Sequence, residues 1–432
     1  MKMTKSFPLG KKTINNSVFR FEVPPNRPEE KTNIFMLGKQ GIGKTNLISL
    51  FIFYMHRLYL ETKGQYGCIP IVFAPTFEYT KLKEKSTLPP GLYPPRAEPQ
   101  GIEVLNFSFR LANIPKYLEK DITVVKLKFA ELTTEDIGTF ANLMGQEDAL
   151  GRVDKLLEEL KRNYGEYTIN HFLDAVKEDK AVYNSLYYIF KRLRDNGLFD
   201  EDLETFDWMT ALKQKKPIVF HFGEIEDDFV LQALAGILLR KLYALSNKYI
   251  NAIYKKVNIQ NLGMNAKEKL SDEQNWFLEN FVIGLFFEEA HLFFPPTTTK
   301  VLRSFPAHKY FKLISMALGR KRNFKFNFLV SQRLELLYKE FRTEYDDLFT
   351  GSKVDTTDKK ALNEILRQSI PSAKDSIELV ALICGNKKFE FTCTNLNKLN
   401  IYVTKFQRKE KINPEDSPLT KFKAYVSPCG MY

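Results

Sequence analysis

Residues 38–45, GKQGIGKT, fit the spacing G-x-x-x-x-G-K-[S/T] through Gly38, Gly43, Lys44 and Thr45. The chemistry served by this spacing is the binding of a polyphosphate. Glycines let successive backbone N–H groups turn inward around phosphate oxygens, and a helix that opens directly behind them adds its positive end. Gly41 belongs to the same turn. Lys44 is expected at the β- and γ-phosphates of ATP, Thr45 at Mg2+, and Asn46 beside them on the first helical turn. A second constellation lies far downstream in NFVIGLFFEEAHLFFPP (280–296), where Glu288 and Glu289 close a strongly apolar run. A third closes FKFNFLVSQR (324–333) with Ser331, Gln332 and Arg333. Paired acids at a strand end suit metal-assisted hydrolysis. Glu288 would join the Mg2+ shell, and Glu289, pointing differently along an extended chain, would orient or deprotonate the water that attacks the γ-phosphate. Gln332 is placed to hold that water or sense the γ-phosphate, and an arginine to stabilise charge in a neighbouring subunit's site.

These groups meet only if the elements carrying them share one edge of a sheet. NIFMLGKQGIGKTNLISLFIFYMHRLYLE followed by CIPIVFAP reads as strand, glycine turn, helix and second buried strand, a βαβ unit. Strand-like runs return in KPIVFHF, FVIGLFF, FKFNFLV, SIELVALICG and KLNIYVTKF, alternating with helical stretches. That order implies an α/β fold of the RecA-like P-loop kind, its sheet mainly parallel and buried on both faces. Between them, from about Thr133 to Thr205, apolar residues recur at helical spacing. Thr133 and Asp136 form a capping-box pattern, and Gly165 and Gly197 stand where helix C-termini fall. The expected organisation is an N-terminal strap or edge hairpin (1–32), a first core part with the P-loop (33–132), a helical insertion (133–205), a second core part (206–410) and a C-terminal tail (411–432). A helix is expected from about Phe229 to Tyr249, and a polar loop from about 255 to 275.

Lysine and arginine exceed the acids, giving a formal charge of +12 over 432 residues, which favours a polyanionic partner, nucleic acid foremost. From Lys300 to Glu344 eleven basic residues face three acidic ones. Lys300, Arg303, Lys309 and Lys312 are therefore the expected contacts to DNA phosphates, which are gripped without reading sequence. No helix-turn-helix or zinc-finger pattern competes. Cys68, Cys384, Cys393 and Cys429 contain no CxxC pair, which argues against a zinc site or a disulfide framework and fits a reducing cytoplasm. No apolar run reaches the roughly 18 residues of a membrane span, and the start lacks the apolar region of a secretory signal. His56, His171, His221 and His308 read as packing or surface residues; His291, directly behind the acid pair, reads equally as a relay or a strand-end hydrogen bond.

In this order the pieces resemble the HerA/FtsK branch of P-loop ATPases, and the HerA-like motors in particular. The resemblance rests on the P-loop, FAPTFEY after the second strand, FFEEAH, GRK at 319–321 and SQR at 331–333, and covers about residues 33–408. It implies a ring, expected to be a hexamer, that hydrolyses ATP and pulls duplex DNA through its channel. By motif position it assigns Lys44, Thr45, Glu288, Glu289 and Gln332, and it implies a trans-acting arginine, Arg320, with Arg322 as competitor. Glu78 and Tyr79 keep the family's Glu-Tyr pair. Ala74 stands where the family usually has aspartate, and Glu288 replaces the usual aspartate of the metal shell. Only about 32 residues precede the first core strand, fewer than the barrel by which HerA proteins dock a nuclease, and this speaks against that partner. Two other classes stay open: a nucleotide-gated DNA-binding scaffold with weak hydrolysis, and an unrelated P-loop kinase.

Overall fold

The computed structural model describes residues 5–26, 32–88, 92–94, 98–109, 114–200, 206–223, 225–261, 271–295, 306–317, 324–337, 345–351, 358, 360, 362, 390–395 and 419–429. The chain begins with a hairpin, β1 (Lys5–Lys12) and β2 (Val18–Val23). Then come β3 (Thr32–Leu37), α1 (Lys44–Glu61) and β4 (Ile69–Ala74), the βαβ unit read from the sequence. β5 (Leu105–Phe109) and β6 (Thr123–Val125) extend the sheet, and β7 (Leu127–Lys128) leads out of it. Four helices follow: α2 (Thr134–Phe140), α3 (Glu147–Tyr164), α4 (Ile169–Glu178) and α5 (Tyr183–Asp195). β8 (Phe199–Asp200) pairs with β7 and closes the base of this helical unit. After α6 (Trp208–Lys213) and β9 (Ile218–His221), the long α7 (Asp228–Asn261) and α8 (Asp272–Asn280) lead to β10 (Ile283–Phe287), which carries the acid pair at its end. α9 (Ala290–Phe293), α10 (Pro306–Ala317), β11 (Phe324–Ser331), β12 (Asp347–Thr350), β13 (Glu390–Asn395) and β14 (Leu419–Ala424) complete the described elements.

The main sheet runs in the order β2-β1-β14-β13-β12-β3-β11-β10-β4-β9-β5-β6. From β12 to β6 every pairing is parallel, and the other end is antiparallel. β3, β4, β9, β10 and β12 are buried at every residue, as strands covered on both faces must be. Phe51 of α1 shows how the layers lock. Its ring meets Phe7 and Phe21 of the hairpin, Phe328 of β11 and Phe349 of β12 at centroid distances of 5.4, 5.0, 4.7 and 5.7 Å.

The capping box at the start of α2 forms as expected: Asp136 N donates to Thr133 Oγ1 (3.2 Å) and Thr133 N to Asp136 Oδ2 (2.9 Å). Three expectations are corrected. The helix expected to end near Tyr249 continues to Asn261, because no glycine or proline stands between Tyr249 and Gly263, and part of the expected polar loop folds as α8 behind a Ser271 capping box. The segment expected as a C-terminal tail supplies β14, inserted between β1 and β13. The expected strands SIELVALICG and KLNIYVTKF lie outside the described residues. Within α7, Asp228–Lys248 is long and apolar enough to cross a membrane, but 72% of that window is buried inside the fold.

Ion pairs fasten the helical unit to the core. Arg240 on α7 reaches Asp136 Oδ2 (2.8 Å), Lys241 reaches Glu131 (2.7 Å) and Lys309 on α10 reaches Glu135 (2.6 Å). Asp136 is fully buried, and burial holds its carboxyl above the ordinary value despite Arg240 and the cap. Arg240→Leu leaves this acid without its counter-charge, so stability should drop by about 3 kcal/mol, measured by urea unfolding at neutral pH.

Candidate active site

The parallel strands end together. From β3 the chain turns through the glycine loop, tied on one side by Gly38 N donating to Ser331 O of β11 (3.3 Å) and on the other by Gly351 N, just past β12, donating to Leu37 O (2.8 Å). Ile42 is wedged between Gly38 and Gly351; a Cβ at either glycine would collide with it. Gly41 (φ +79) and Gly43 (φ +95) take the left-handed conformation that turns backbone N–H groups inward, and Gly41 has open space around the position of a Cβ. No side chain caps α1 and no acid occupies its first turn, so its positive end is available to an anion.

Into this cradle converge five of the expected side chains. Lys44 is buried, its Nζ donating to Gly38 O (2.8 Å) and Lys39 O (3.2 Å) and lying 3.6 Å from Glu289 Oε1. Burial lowers its pKa, opposed by Glu289 and Glu288. Thr45 Oγ1 donates to Glu288 Oε1 (2.9 Å). Glu289 accepts from Gln332 through Nε2 (2.7 Å) and the backbone N (3.2 Å). His291 Nδ1 lies 3.1 Å from Ser331 Oγ and 3.6 Å from Glu289 Oε2, with its pKa lowered by burial. Glu288 and Glu289 thus face different partners, and Glu289 does so from a left-handed backbone, φ 51 and ψ 52. Such a conformation in a residue with a Cβ is strained and is found where geometry is held for function.

Glu288 is buried, its carboxyl pushed up to about 7 by burial and by the neighbouring Glu78 and Glu289, against the Thr45 hydrogen bond and Lys44. Its Oε2 has no hydrogen-bond partner. A buried carboxylate oxygen without a partner, beside a threonine hydroxyl and a phosphate cradle, fits a nucleotide-bound Mg2+, for which Thr45 and Glu288 would supply the protein side of the shell.

The remaining expected residues separate into three groups. The Asn46 side chain faces away from the cradle, with Nδ2 donating to Tyr425 O (2.8 Å) and Oδ1 accepting from Ser427 N (2.7 Å), so it clamps the segment after β14 onto α1. Lys309 is engaged by Glu135, and Lys312 lies in α10 with its side chain outside the described residues. Lys300, Arg303, Arg320 and Arg322 also lie outside them. The buried cluster behind the site was missed by sequence reasoning. His221 Nδ1 lies 2.9 Å from Thr76 O and Nε2 3.0 Å from Asn106 Oδ1, burial having pushed the ring down to about 4. Its only signal was a histidine closing the apolar run KPIVF.

No family model matches the chain, and no curated protein matches it. Solved structures do. VirB4 of Thermoanaerobacter pseudethanolicus matches with TM-score 0.51 at 12% identity, over 90% of this chain and 93% of that one. The conjugative coupling protein TrwB, in complex with the ATP analogue ADPNP, gives TM-score 0.45 at 10% identity over 94% and 87%, and the genome packaging NTPase B204 from Sulfolobus turreted icosahedral virus 2, with ATP-gammaS, gives 0.33 at 10% over 86% and 94%. The chain has the RecA-like α/β fold of the P-loop ATPases. Within that class, it shares the fold of VirB4.

The raised Glu288 carboxyl has a consequence for stability without divalent metal. The folded chain keeps this proton up to about pH 7, whereas an unfolded glutamate releases it near 4.5. Stability from this group is therefore highest on the acid side and declines as pH rises between those values, by on the order of 3 kcal/mol. The difference in unfolding free energy between wild type and Glu288→Gln, followed in EDTA from pH 4.5 to 7.5, should trace that decline.

Proposed function

We propose that the chain is an ATPase that couples hydrolysis to moving DNA, working in the cytoplasm as an oligomeric ring, a hexamer, through which duplex is drawn without regard to sequence. The observation that carries the reading is the convergence of Lys44, Thr45, Glu288, Glu289 and Gln332 on one sheet edge, within hydrogen-bonding or ion-pairing distance of one another. ATP with Mg2+ supplies the phosphoryl group to be transferred. In this reading Lys44 neutralises charge that grows as the γ-phosphate departs, Thr45 and Glu288 hold the metal, and Glu289 takes the proton of the attacking water while Gln332 fixes its carboxylate. Arg320, or Arg322, completes the site of the adjacent subunit.

The net charge of +12 supports a polyanionic partner, and Lys300, Arg303 and Lys312 are the proposed phosphate contacts. Lys309 joins them only if it leaves Glu135. Cys68 and Cys429 are free and buried, in keeping with a reducing compartment.

Lys44→Ala should abolish hydrolysis and weaken ATP binding. Glu289→Gln should keep ATP and lose turnover by about 100-fold or more, read by nucleotide binding and phosphate release side by side. Equal turnover to wild type removes the acid pair from the chemistry.

DNA should stimulate hydrolysis irrespective of its sequence, and the stimulation should fall steeply with salt as neutralised phosphates release counterions. Titration with duplex, single-stranded and no DNA, paired with triplex displacement, tests the coupling. ATP-dependent DNA binding without displacement identifies a gated scaffold instead, and phosphorylation of a small acceptor without any response to DNA identifies a kinase. Mixed rings of Arg320→Ala and Glu289→Gln subunits should regain activity that neither has alone; failure to do so withdraws the trans role.

A further inference from the structure

Behind the acid pair, two buried polar atoms on interacting side chains have no completed hydrogen bond. One is Glu288 Oε2; the other is the hydroxyl of Tyr79, a fully buried side chain on the 3₁₀ turn Glu78–Lys83. The meeting follows from the sheet. Glu288 N donates to Phe73 O (3.0 Å), so the acid continues the pairing of β10 with β4, and Tyr79 lies on the turn that β4 enters. We propose that Tyr79 is a positioning residue for the metal-shell carboxylate, its phenolic hydroxyl donating to Glu288 Oε2 so that Oε1 stays turned toward Thr45. This inference rests on the nucleotide-site reading above.

A glutamate has three side-chain torsions, and one hydrogen bond at Oε1 leaves the other oxygen free to swing. A donor at Oε2 removes that freedom. A phenol carries its proton at neutral pH and can donate it. Phenylalanine would fill the same space without burying a hydroxyl that lacks a partner, so the oxygen is explained only by what it can donate to.

The turn carrying Tyr79 is fastened independently of any ligand. His221 Nδ1 reaches Thr76 O, its ring stacks on Phe77 with centroids 5.4 Å apart, and Thr80 Oγ1 donates to Phe77 O (2.7 Å). The phenol is therefore held from the sheet side.

The test is Tyr79→Phe, read by Mn2+ affinity of the ATP-bound protein from the electron spin resonance of free Mn2+, and by ATP affinity in EDTA. Mn2+ affinity should fall by about 10-fold, the size of effect that outer-shell partners of metal ligands have, with metal-free ATP affinity and melting temperature unchanged. In a Glu288→Asp background, whose shorter arm has withdrawn from the phenol, Tyr79→Phe should have no further effect on Mn2+. Should Tyr79→Phe not fold, 3-fluorotyrosine at position 79 alters the acidity of the hydroxyl while keeping its place, and Mn2+ affinity must shift with it. Unchanged Mn2+ affinity in either variant, or an equal loss of metal-free and metal-bound ATP, overturns the role of Tyr79 while leaving the nucleotide site standing. Wild-type protein that binds ATP neither with nor without Mn2+ overturns both.

Discussion

A parallel sheet covered on both faces can keep charge only at the ends of its strands. In β4 and β10 every residue is buried and none is an acid or an amide, and Glu288 and Glu289 appear only where β10 stops. Because neighbouring strands run the same way, those stopping points fall on one edge, and groups hundreds of residues apart in sequence arrive together. The phosphate loop, the two glutamates and Gln332 are consequences of that single constraint, as is the solvent-poor setting that raises Glu288 and lowers Lys44. In such surroundings each charge depends strongly on its neighbours, which makes the site responsive to whatever changes them.

Glu289 adds stored strain to this arrangement. Its left-handed backbone costs about 1–3 kcal/mol and is held by bonds on both sides. Leu292 N donates to the Glu289 carbonyl (2.8 Å), and the backbone and side chain of Gln332 grip its carboxylate. The end of β11 therefore sets the direction of the acid at the end of β10. The helical unit is joined to the same core through Asp136, Glu135 and Glu131, whose partners lie on α7 and α10. A rotation of those helices would be felt at both places.

The parts of this molecule legible in the sequence are those written in local spacing. The glycine loop, the capping box at Thr133 and the apolar strand runs each state their structure within a few residues, and the acid pair could be matched to the loop because P-loop chemistry requires it. What the spacing does not carry is partnership at long range. Asn46 looks like a nucleotide-side residue from its position after Thr45, yet its amide is taken up by Tyr425 and Ser427. The segment 411–432 is short and polar enough to read as a tail, although β14 fills a place inside the sheet. His221 closes an apolar strand and signals nothing of its bonds to Thr76 and Asn106. The end of α7 was missed for a local reason: polar residues at helical spacing read as loop when nothing but composition is weighed.

The clamp at Asn46 also orders events in time. Its two partners lie 379 and 381 residues downstream, and Pro428 O, accepting from Ser86 N and Gln100 N, binds the same segment to another early loop. During synthesis the helix behind the phosphate loop emerges long before the strand that secures it. Until then the β13 side of β1, where β14 belongs, is an unpaired sheet edge, open to pairing with other chains. Contacts so distant along the chain also make folding intrinsically slow. A nascent chain that must wait this long is the stage at which such a protein most needs a chaperone.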